Sequence, residues 1–372
     1  MGSAGRPRSG VIGVGMVGAV HAHAVQRAGG VLAAVAGSSP ESSRAACDRL
    51  NASRTATADE IVHAEDVDVV HLCVPNHLHH GLALAALAAG KHVICEKPLA
   101  TNLAEAQELA EAAGQRAEVT AVPFVYRFYP SVREARERIG QISPWLIHGG
   151  YLQDFKSRAQ TDGWRSDPVR AGVSLTFGDI GSHWCDLMEF VTGQRITAVS
   201  AVQGSASSDD RERQDGAIVL FRTDHDAVGS VIVSQTSPGR KNQLYFSFDG
   251  RENSVMFNQE HPDELIVGGL GANRVVPRDS ATLSPAAARY SVLPGGHPQG
   301  YQECFNLFVA DVYAAVRTGE PPDGLATFVD GLRAAHINEA VLASITTGEW
   351  VEVPPITRLA ADGARNRAVR AR

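Results

Sequence analysis

The sequence has little of what marks several protein classes. Its 372 residues include only five cysteines, which lie far apart and form no C-x-x-C pair. This excludes a disulfide scaffold and favours buried thiols in a reducing compartment. No apolar run reaches the ~18 residues of a transmembrane helix. Lys and Arg number 34 against 41 Asp and Glu, so clustered positive charge is not expected. We therefore expect a cytoplasmic protein that binds neither nucleic acid nor membrane.

The composition that is present is ordinary for a globular protein, with 44% apolar and 20% charged residues. At roughly 150 residues per domain, the length predicts about two domains. The hydrophobic pattern changes after residue 122. We expect a first domain at 8–124, a second domain at 125–355 and a flexible basic tail at 356–372.

The first domain has the pattern of an α/β fold. Short apolar runs alternate with helical spacings, and this alternation predicts βαβ units in a doubly wound parallel sheet. The predicted strands are 11–14, 31–36, 68–74 and 92–95. A predicted helix follows the first strand and ends near residue 28, and further helices are predicted at 41–50, 82–89 and 103–113.

The second domain begins with helices near 131–139 and 180–191 and a strand at 145–152. Strand-like runs then follow one another without helices between them, which indicates a mostly antiparallel sheet. These runs are 198–202, 217–221, 228–233, 245–248, 255–257 and 265–267. Two amphipathic helices, 301–317 and 328–346, close the chain.

A G-x-G-x-x-G pattern follows the first predicted strand and opens the first helix, where it predicts a dinucleotide phosphate loop. Gly13 would make the tight turn, Gly15 would let pyrophosphate approach the backbone, and Gly18 would allow close packing of strand and helix. Met16 and Val17 lie between them, at the helix N-terminus that attracts the anion.

The end of the second predicted strand lacks the acid that usually binds the adenosine ribose. Gly37, Ser38 and Ser39 stand there instead, with Arg44 a few positions later. Small hydroxyl residues and an arginine can receive a 2′-phosphate. This favours NADP slightly over NAD, although Arg44 can equally face solvent on its helix.

Chemistry-bearing residues occur at two further places. Lys97 follows the strand at 92–95, where side chains enter the crevice beyond the carboxyl ends of a parallel sheet. Asp179 and His183 lie four residues apart at a helix start, hence on one face. Imidazole changes charge near neutral pH and suits a general base, which contributes about 10²–10⁴-fold to rate.

The ordered set of these motifs resembles the Gfo/Idh/MocA oxidoreductases. It comprises the phosphate loop, Pro75–His79, Glu96-Lys97-Pro98, Tyr126-Arg127 and Asp179–His183. The resemblance implies a Rossmann domain, followed by a C-terminal α/β domain on an open, mostly antiparallel sheet that often serves oligomerisation. It also implies Lys97, Asp179 and His183 as the catalytic residues, and cofactor contacts from Pro75, Asn76, His79, Glu96 and Lys97.

Other segments look most like family members that act on sugars and cyclitols. The substrate-contact candidates are Tyr126, Arg127, Gln153, Asp154, Trp164, Arg165, His183 and His297. Aromatic faces and amides suit polyhydroxyl ligands, although Gln153, Trp164 and the neighbouring Tyr151 can equally serve domain packing.

The resemblance implies an NAD(P)-dependent enzyme that moves hydride between a nicotinamide and a secondary hydroxyl or ketone of a sugar or cyclitol. Two alternatives are a glycoside-cleaving enzyme that oxidises, eliminates and re-reduces, and a catalytically silent dinucleotide sensor. We expect a homodimer or homotetramer, because an open sheet leaves one face uncovered.

His77, His79 and His80 invite a zinc hypothesis, but they lack further ligands at suitable spacing and we expect no metal.

Overall fold

The computed structural model describes residues 5–158, 176–206 and 214–356. These residues form two compact units. Unit 1 takes the described residues up to Pro123 together with Phe305–Arg333, and unit 2 takes those of Phe124–Cys304 and Ala334–Pro355. The change of unit after Pro123 falls where the sequence pattern changes, whereas segment 305–333 lies with the first unit. Most of the predicted basic tail, residues 357–372, lies outside the described residues.

Unit 1 contains a six-stranded, wholly parallel sheet of order β3-β2-β1-β4-β5-β6. This strand order is that of a doubly wound dinucleotide-binding fold. The strands are β1 (Arg8–Ile12), β2 (Val31–Ala36), β3 (Arg54–Thr55), β4 (Val69–Leu72), β5 (His92–Cys95) and β6 (Thr120–Ala121). The central strands are buried on both faces, as expected where helices cover both sides of a parallel sheet.

Helices connect these strands. They are α1 (Met16–Arg27), α2 (Pro40–Leu50), α3 (Ala58–His63), α4 (His79–Ala88) and α5 (Leu103–Gly114). A buried apolar cluster that includes Val11, Val25, Leu32 and Val35 joins β1 and β2 to α1 and α2. Burial of such side chains supplies about 1.5–3 kcal/mol each. This core fixes the direction in which the loops after β1 and β2 leave the sheet.

Unit 2 contains a nine-stranded sheet of order β14-β13-β12-β11-β7-β10-β9-β8-β15. Its neighbours pair antiparallel except β7 and β10, which run parallel. The strands are β7 (Leu146–Leu152), β8 (Ile196–Gly204), β9 (Gly216–Thr223), β10 (Val228–Ser234), β11 (Gln243–Asp249), β12 (Asn253–Asn258), β13 (Glu264–Gly269), β14 (Arg274–Pro277) and β15 (Val351–Glu352). The predicted mostly antiparallel sheet is therefore confirmed.

The helices of the second half begin with α6 (Pro130–Ile142), which packs against α8 and β12. The others are α7 (Phe155–Arg158), α8 (Ser182–Thr192), α9 (Pro285–Ala288), α10 (Tyr301–Thr318) and α11 (Phe328–Thr347). Buried and exposed residues alternate along β9, so at this strand one face of the sheet is buried and the other is open. None of the helices in the described part of the chain is both long and apolar enough to cross a membrane.

Candidate active site

The phosphate loop of unit 1 joins β1 to α1. Gly13 has a φ of +94°, and a Cβ there would lie 2.2 Å from the carbonyl oxygen of Cys73. At Gly18 a Cβ would lie 1.9 Å from the carbonyl oxygen of Gly13. Both positions therefore exclude side chains because the backbone is already in contact.

Gly15 differs from both. It is the N-cap of α1, and no described heavy atom other than its chain neighbours lies within 4 Å of a Cβ placed on it. The space beside Gly15 is open, and the N-terminal N–H groups of α1 begin there. A helix N-terminus with an open approach attracts anions through its N–H donors and its dipole. These features fit the pyrophosphate of a dinucleotide.

Hydrogen bonds between neighbouring residues stabilise the loop after β2. The Ser39 hydroxyl accepts the N–H of Ser42 and caps α2, while Ser43 Oγ accepts the N–H of Gly37. A Cβ at Gly37 would lie 2.2 Å from Ser42 Oγ, so the turn is tight. Arg44 is largely exposed on α2 and lies 3.2 Å from Glu41. The predicted ribose-side residues are therefore brought together around the start of α2.

The carboxyl ends of β1, β4 and β5 lie in one row, because Ile12 pairs with Leu72 and Leu72 pairs with Cys95. The segments that follow these strands therefore share one edge of the sheet. They contain the phosphate loop, Pro75 and Asn76, and the Glu96-Lys97-Pro98 sequence. This is the edge at which ligands bind to open parallel sheets.

His79, predicted to contact the cofactor, is fully buried at the start of α4. Its Nδ1 lies 2.8 Å from the carbonyl oxygen of Pro98 and its Nε2 lies 3.0 Å from that of Val74. Burial lowers the pKa of this imidazole. The ring thus links the loop after β4 to the loop after β5, and any contribution to cofactor binding acts through the position of these loops.

Glu96 and Lys97 follow β5 directly. The N–H of Glu96 donates to the carbonyl oxygen of Leu72, which continues the sheet pairing by one residue. Glu96 Oε2 accepts the backbone N–H of Lys97 at 3.1 Å, and Glu96 Oε1 lies 3.0 Å from Nε2 of the buried His21. No local pattern predicts this second contact, because His21 and Glu96 lie 75 residues apart.

In unit 2, a single π-helical turn over Phe177–Gly181 precedes α8. Asp179 lies on this turn and His183 lies in the first turn of α8. Such π-turns are frequent at functional sites. Asp186, three residues beyond His183, forms an ion pair with Arg127.

Aromatic rings surround His183. Its ring centroid lies 5.0 Å from that of Tyr126 and 5.8 Å from that of Phe124, both edge-on, and 6.3 Å from that of Tyr151. His183 itself is buried. These rings restrict the orientations of the imidazole and exclude water from around it.

A chain of phenols and amides continues from this cluster. The Tyr126 hydroxyl bonds to that of Tyr151, which donates to Asn242 Oδ1 at 2.7 Å. Gln153 Nε2 donates to the same oxygen at 2.7 Å. Burial raises the pKa of Tyr126 to about 12 and also raises the pKa of Tyr151. Both phenols therefore remain neutral hydrogen-bonding groups at physiological pH.

Asp179 is oriented by a fully buried glutamine. Gln235 Nε2 donates to Asp179 Oδ2 at 2.6 Å, and Gln235 Oε1 accepts from Thr176 at 3.3 Å. Gln235 follows β10 directly. Sequence reasoning missed both Gln235 and Asn242; the available signal was a polar residue immediately beside an apolar strand.

The remaining predicted substrate residues have diverse surroundings. Arg127 is buried in a bidentate pair with Asp186 and stacks on Phe190 at 5.0 Å. Asp154 accepts from Lys241 Nζ at 2.6 Å. His297 is exposed on a loop of unit 2. Trp164 and Arg165 lie outside the described residues.

The three histidines considered as metal ligands have other partners where contacts are described: His79 faces two carbonyls and His80 bonds to Glu108 at 2.9 Å. Among residues 5–158, 176–206 and 214–356, no group of three or more His, Cys, Asp or Glu side chains is arranged to hold a metal ion.

Comparison with known proteins gives concordant matches. Residues 8–124 match the model described as the oxidoreductase family with NAD-binding Rossmann fold, and residues 134–256 match the GFO/IDH/MocA C-terminal domain. Levoglucosan dehydrogenase from Pseudarthrobacter phenanthrenivorans is 31% identical, over 80% of this chain and 83% of that protein. Inositol 2-dehydrogenase from Rhodococcus erythropolis is 26% identical, over 96% of this chain and 98% of that protein. A solved structure of levoglucosan dehydrogenase with NADH and levoglucosan has a TM-score of 0.88 at 30% identity. This match covers 95% of this chain and 100% of that chain.

Proposed function

Because the chain belongs to the Gfo/Idh/MocA family of NAD-binding oxidoreductases, we propose that it transfers hydride between a nicotinamide cofactor and a secondary hydroxyl, or the matching ketone, of a sugar or cyclitol. The observation that carries this proposal is the Asp179–His183 pair, held by Gln235 and aromatic rings beside a chain of phenols and amides. Such groups suit a ligand rich in hydroxyls.

Each proposed catalytic residue has a separate role. His183 takes the hydroxyl proton as hydride leaves the carbon, and Lys97 stabilises the developing alkoxide by charge and hydrogen bonding. Asp179 orients a substrate hydroxyl or the imidazole. When bound, the nicotinamide supplies the hydride acceptor. The backbone at Gly15 and the start of α1 would hold its pyrophosphate.

The test is a panel of pyranoses, anhydrosugars and inositols assayed with NAD⁺ and NADP⁺, followed by absorbance of the reduced nicotinamide. Sugar-dependent, stoichiometric accumulation of reduced cofactor supports the proposal. Release of a free sugar from a glycoside without net reduction would favour the oxidation–elimination–reduction enzyme instead. Cofactor binding without turnover on any substrate would favour the sensor.

The roles of the residues are tested by Lys97→Ala and His183→Ala. Both variants should still bind NADH and should lose turnover by about 10²–10⁴-fold. Unchanged rates in both variants would contradict the mechanism.

For the cofactor, we propose a preference for NADP, since serine hydroxyls and Arg44 stand where an acid would bind the adenosine ribose. The pair of Arg44 with Glu41 gives a matched test. Arg44→Ala should weaken NADPH binding more than NADH binding, and Glu41→Ala should strengthen NADPH binding by removing a competing carboxylate. Equal affinity of Arg44→Ala and the unmodified protein for NADPH would overturn the preference.

We also propose that the chain forms a homo-oligomer through the open face of the second sheet. Val202, Ile218 and Ile232 are directly opposite one another on β8, β9 and β10, and are 64%, 47% and 41% exposed. An exposed apolar row of this kind marks a protein interface, and symmetric self-association is the commonest use. Light scattering should give a dimer or tetramer that Ile218→Lys dissociates; a monomeric unmodified protein would overturn this. The cytoplasmic location stays a prediction.

A further inference from the structure

Unit 1 contains a continuous line of buried polar side chains that the proposed mechanism does not use. Tyr313 OH lies 2.7 Å from Ser9 Oγ, which lies 3.1 Å from His71 Nε2. His71 Nδ1 lies 3.0 Å from His21 Nδ1, and His21 Nε2 lies 3.0 Å from Glu96 Oε1. The first four side chains are fully buried, and the Glu96 side chain is 12% exposed.

The chemistry of these groups gives the line one direction. A carboxylate only accepts, so His21 donates from Nε2 to Glu96. The Nδ1 of a neutral His21 then accepts from Nδ1 of His71, whose Nε2 in turn accepts from Ser9. The Ser9 oxygen accepts from Tyr313. Each group donates toward Glu96, and hydrogen bonds aligned in this way strengthen one another.

The surroundings of His71 favour its neutral imidazole. Burial and the proximity of His21 lower the pKa of His71 well below its usual value. Besides His21 and the adjacent Lys97, the ionisable groups near Glu96 include Cys73, Cys95 and His79, and burial raises the pKa of both thiols. His21 also contacts the ring of Phe305 at 5.1 Å, which is apolar.

The line ends beside Lys97. One oxygen of Glu96 accepts from His21, and the other accepts the backbone N–H of Lys97 at 3.1 Å. The carboxylate is therefore fixed at both oxygens, and the direction in which the chain leaves β5 at Lys97 depends on it.

We propose that His21 is a positioning residue for Lys97, acting through Glu96, and that the His71–Ser9–Tyr313 line holds His21 in the tautomer that donates to Glu96. This inference rests on the proposed function of Lys97. It gives a structural role to four buried side chains from separate segments of the chain, those of Ser9, His21, His71 and Tyr313.

Two polar substitutions of His21 separate positioning from simple packing. His21→Gln places an amide N–H near the position of Nε2 and keeps a donor for Glu96. His21→Asn places its amide near Nδ1, keeps a partner for His71 and does not reach Glu96. His23→Asn, at an exposed site on the same helix, is the matched control.

We expect His21→Asn to lower kcat about 10- to 100-fold, because a misplacement of ~1 Å can cost about 10²-fold. The KM for substrate and the affinity for NADH should change little, and His21→Gln should recover most of kcat. His23→Asn should match the unmodified protein. Equal losses in the two His21 variants, or no loss in either, would overturn the inference while leaving the proposed function intact.

The tautomers provide a test that is independent of activity. In protein carrying ¹⁵N-labelled histidine, long-range ¹H–¹⁵N spectra should identify His21 as protonated at Nε2 and His71 as protonated at Nδ1. Ser9→Ala removes the donor to His71 and should release that ring to the other tautomer. A His21 protonated at Nδ1 would overturn the inference whether or not the protein oxidises sugars. Absence of sugar-dependent cofactor reduction by the unmodified protein would instead count against the proposed function.

Discussion

Gln235 holds Asp179 through a 2.6 Å hydrogen bond from its side-chain amide, and it does so from a fully buried position directly after β10. One oxygen of the carboxylate is thus held by a neutral donor. A neutral donor preserves the negative charge that can orient a substrate hydroxyl or an imidazolium. The bond also ties the π-helical turn to the sheet.

We predict that Gln235→Leu lowers kcat about tenfold and destabilises the protein by about 1–3 kcal/mol, since a buried acceptor loses its donor. Steady-state kinetics and chemical denaturation measure the two effects. Gln203→Leu, at an exposed site on β8, is the control. Activity that survives Gln235→Leu unchanged would mean that Asp179 is not oriented through this bond.

The open space at Gly15 leads to a second prediction. Gly15→Ala should change stability by less than about 1 kcal/mol, because its φ of −68° suits alanine and the Cβ meets no described neighbour. The same Cβ would occupy the approach to the helix N-terminus, so the Kd for NADH should rise at least about tenfold.

Gly81→Ala, also at an open position and within α4, is the matched control and should leave the Kd unchanged. Isothermal titration with NADH and a thermal melt measure both quantities. Unaltered NADH affinity in Gly15→Ala would show that the pyrophosphate binds elsewhere.

The sequence predicted much of the first unit because its signals are local. Strands Val31–Ala36 and His92–Cys95 were predicted with their observed bounds, since continuous apolar runs between polar segments define both ends. The short strands β3 and β6 were not predicted, because two residues carry no periodicity. The parallel pairing of β7 with β10 was also missed, since it depends on contacts between distant segments.

In the candidate site, too, the residues in local patterns were predicted and those with distant partners were not. Glycine spacing and the Asp179–His183 spacing are local patterns and could be read directly. Gln235 and Asn242 act through partners distant in sequence, so their position beside an apolar strand did not reveal what they contact. The contacts of His21 were not predicted either, because its burial against His71 and Glu96 depends on how α1 packs on the sheet.

The buried pair of Arg127 and Asp186 allows a third prediction. Removal of either partner breaks a buried ion pair, so Arg127→Leu and Asp186→Leu should each destabilise the protein by about 3–5 kcal/mol. The double variant should recover much of that loss, because two apolar side chains replace a pair that was costly to desolvate.

Chemical denaturation of the two single variants and the double variant gives the coupling energy. Kinetics on the double variant test the predicted substrate contact of Arg127. A KM that returns to that of the unmodified protein would assign Arg127 to structure alone, whereas a raised KM in a stable double variant would support substrate contact.

The last prediction concerns alkaline pH. Burial raises the pKa of Tyr126 to about 12, whereas an unfolded tyrosine ionises near its usual value of about 10. Between these values the unfolded chain has released a proton that the folded chain retains. The stability contributed by Tyr126 is therefore fully present below about pH 10 and is lost as pH rises toward about 12.

Tyr126→Phe removes this titration, so its Tm should fall less steeply above about pH 10 than that of the unmodified protein. At neutral pH the same variant should be slightly less stable, by about 0.5–1.5 kcal/mol, because Tyr151 loses the hydrogen bond from Tyr126. Tyr245→Phe, on β11, controls for loss of a phenol elsewhere in the sheet. Thermal melts across this pH range measure how steeply the Tm of each protein falls. Parallel curves for Tyr126→Phe and the unmodified protein would contradict the raised pKa of Tyr126. A buried phenol that stays protonated in the folded protein must couple its ionisation to unfolding.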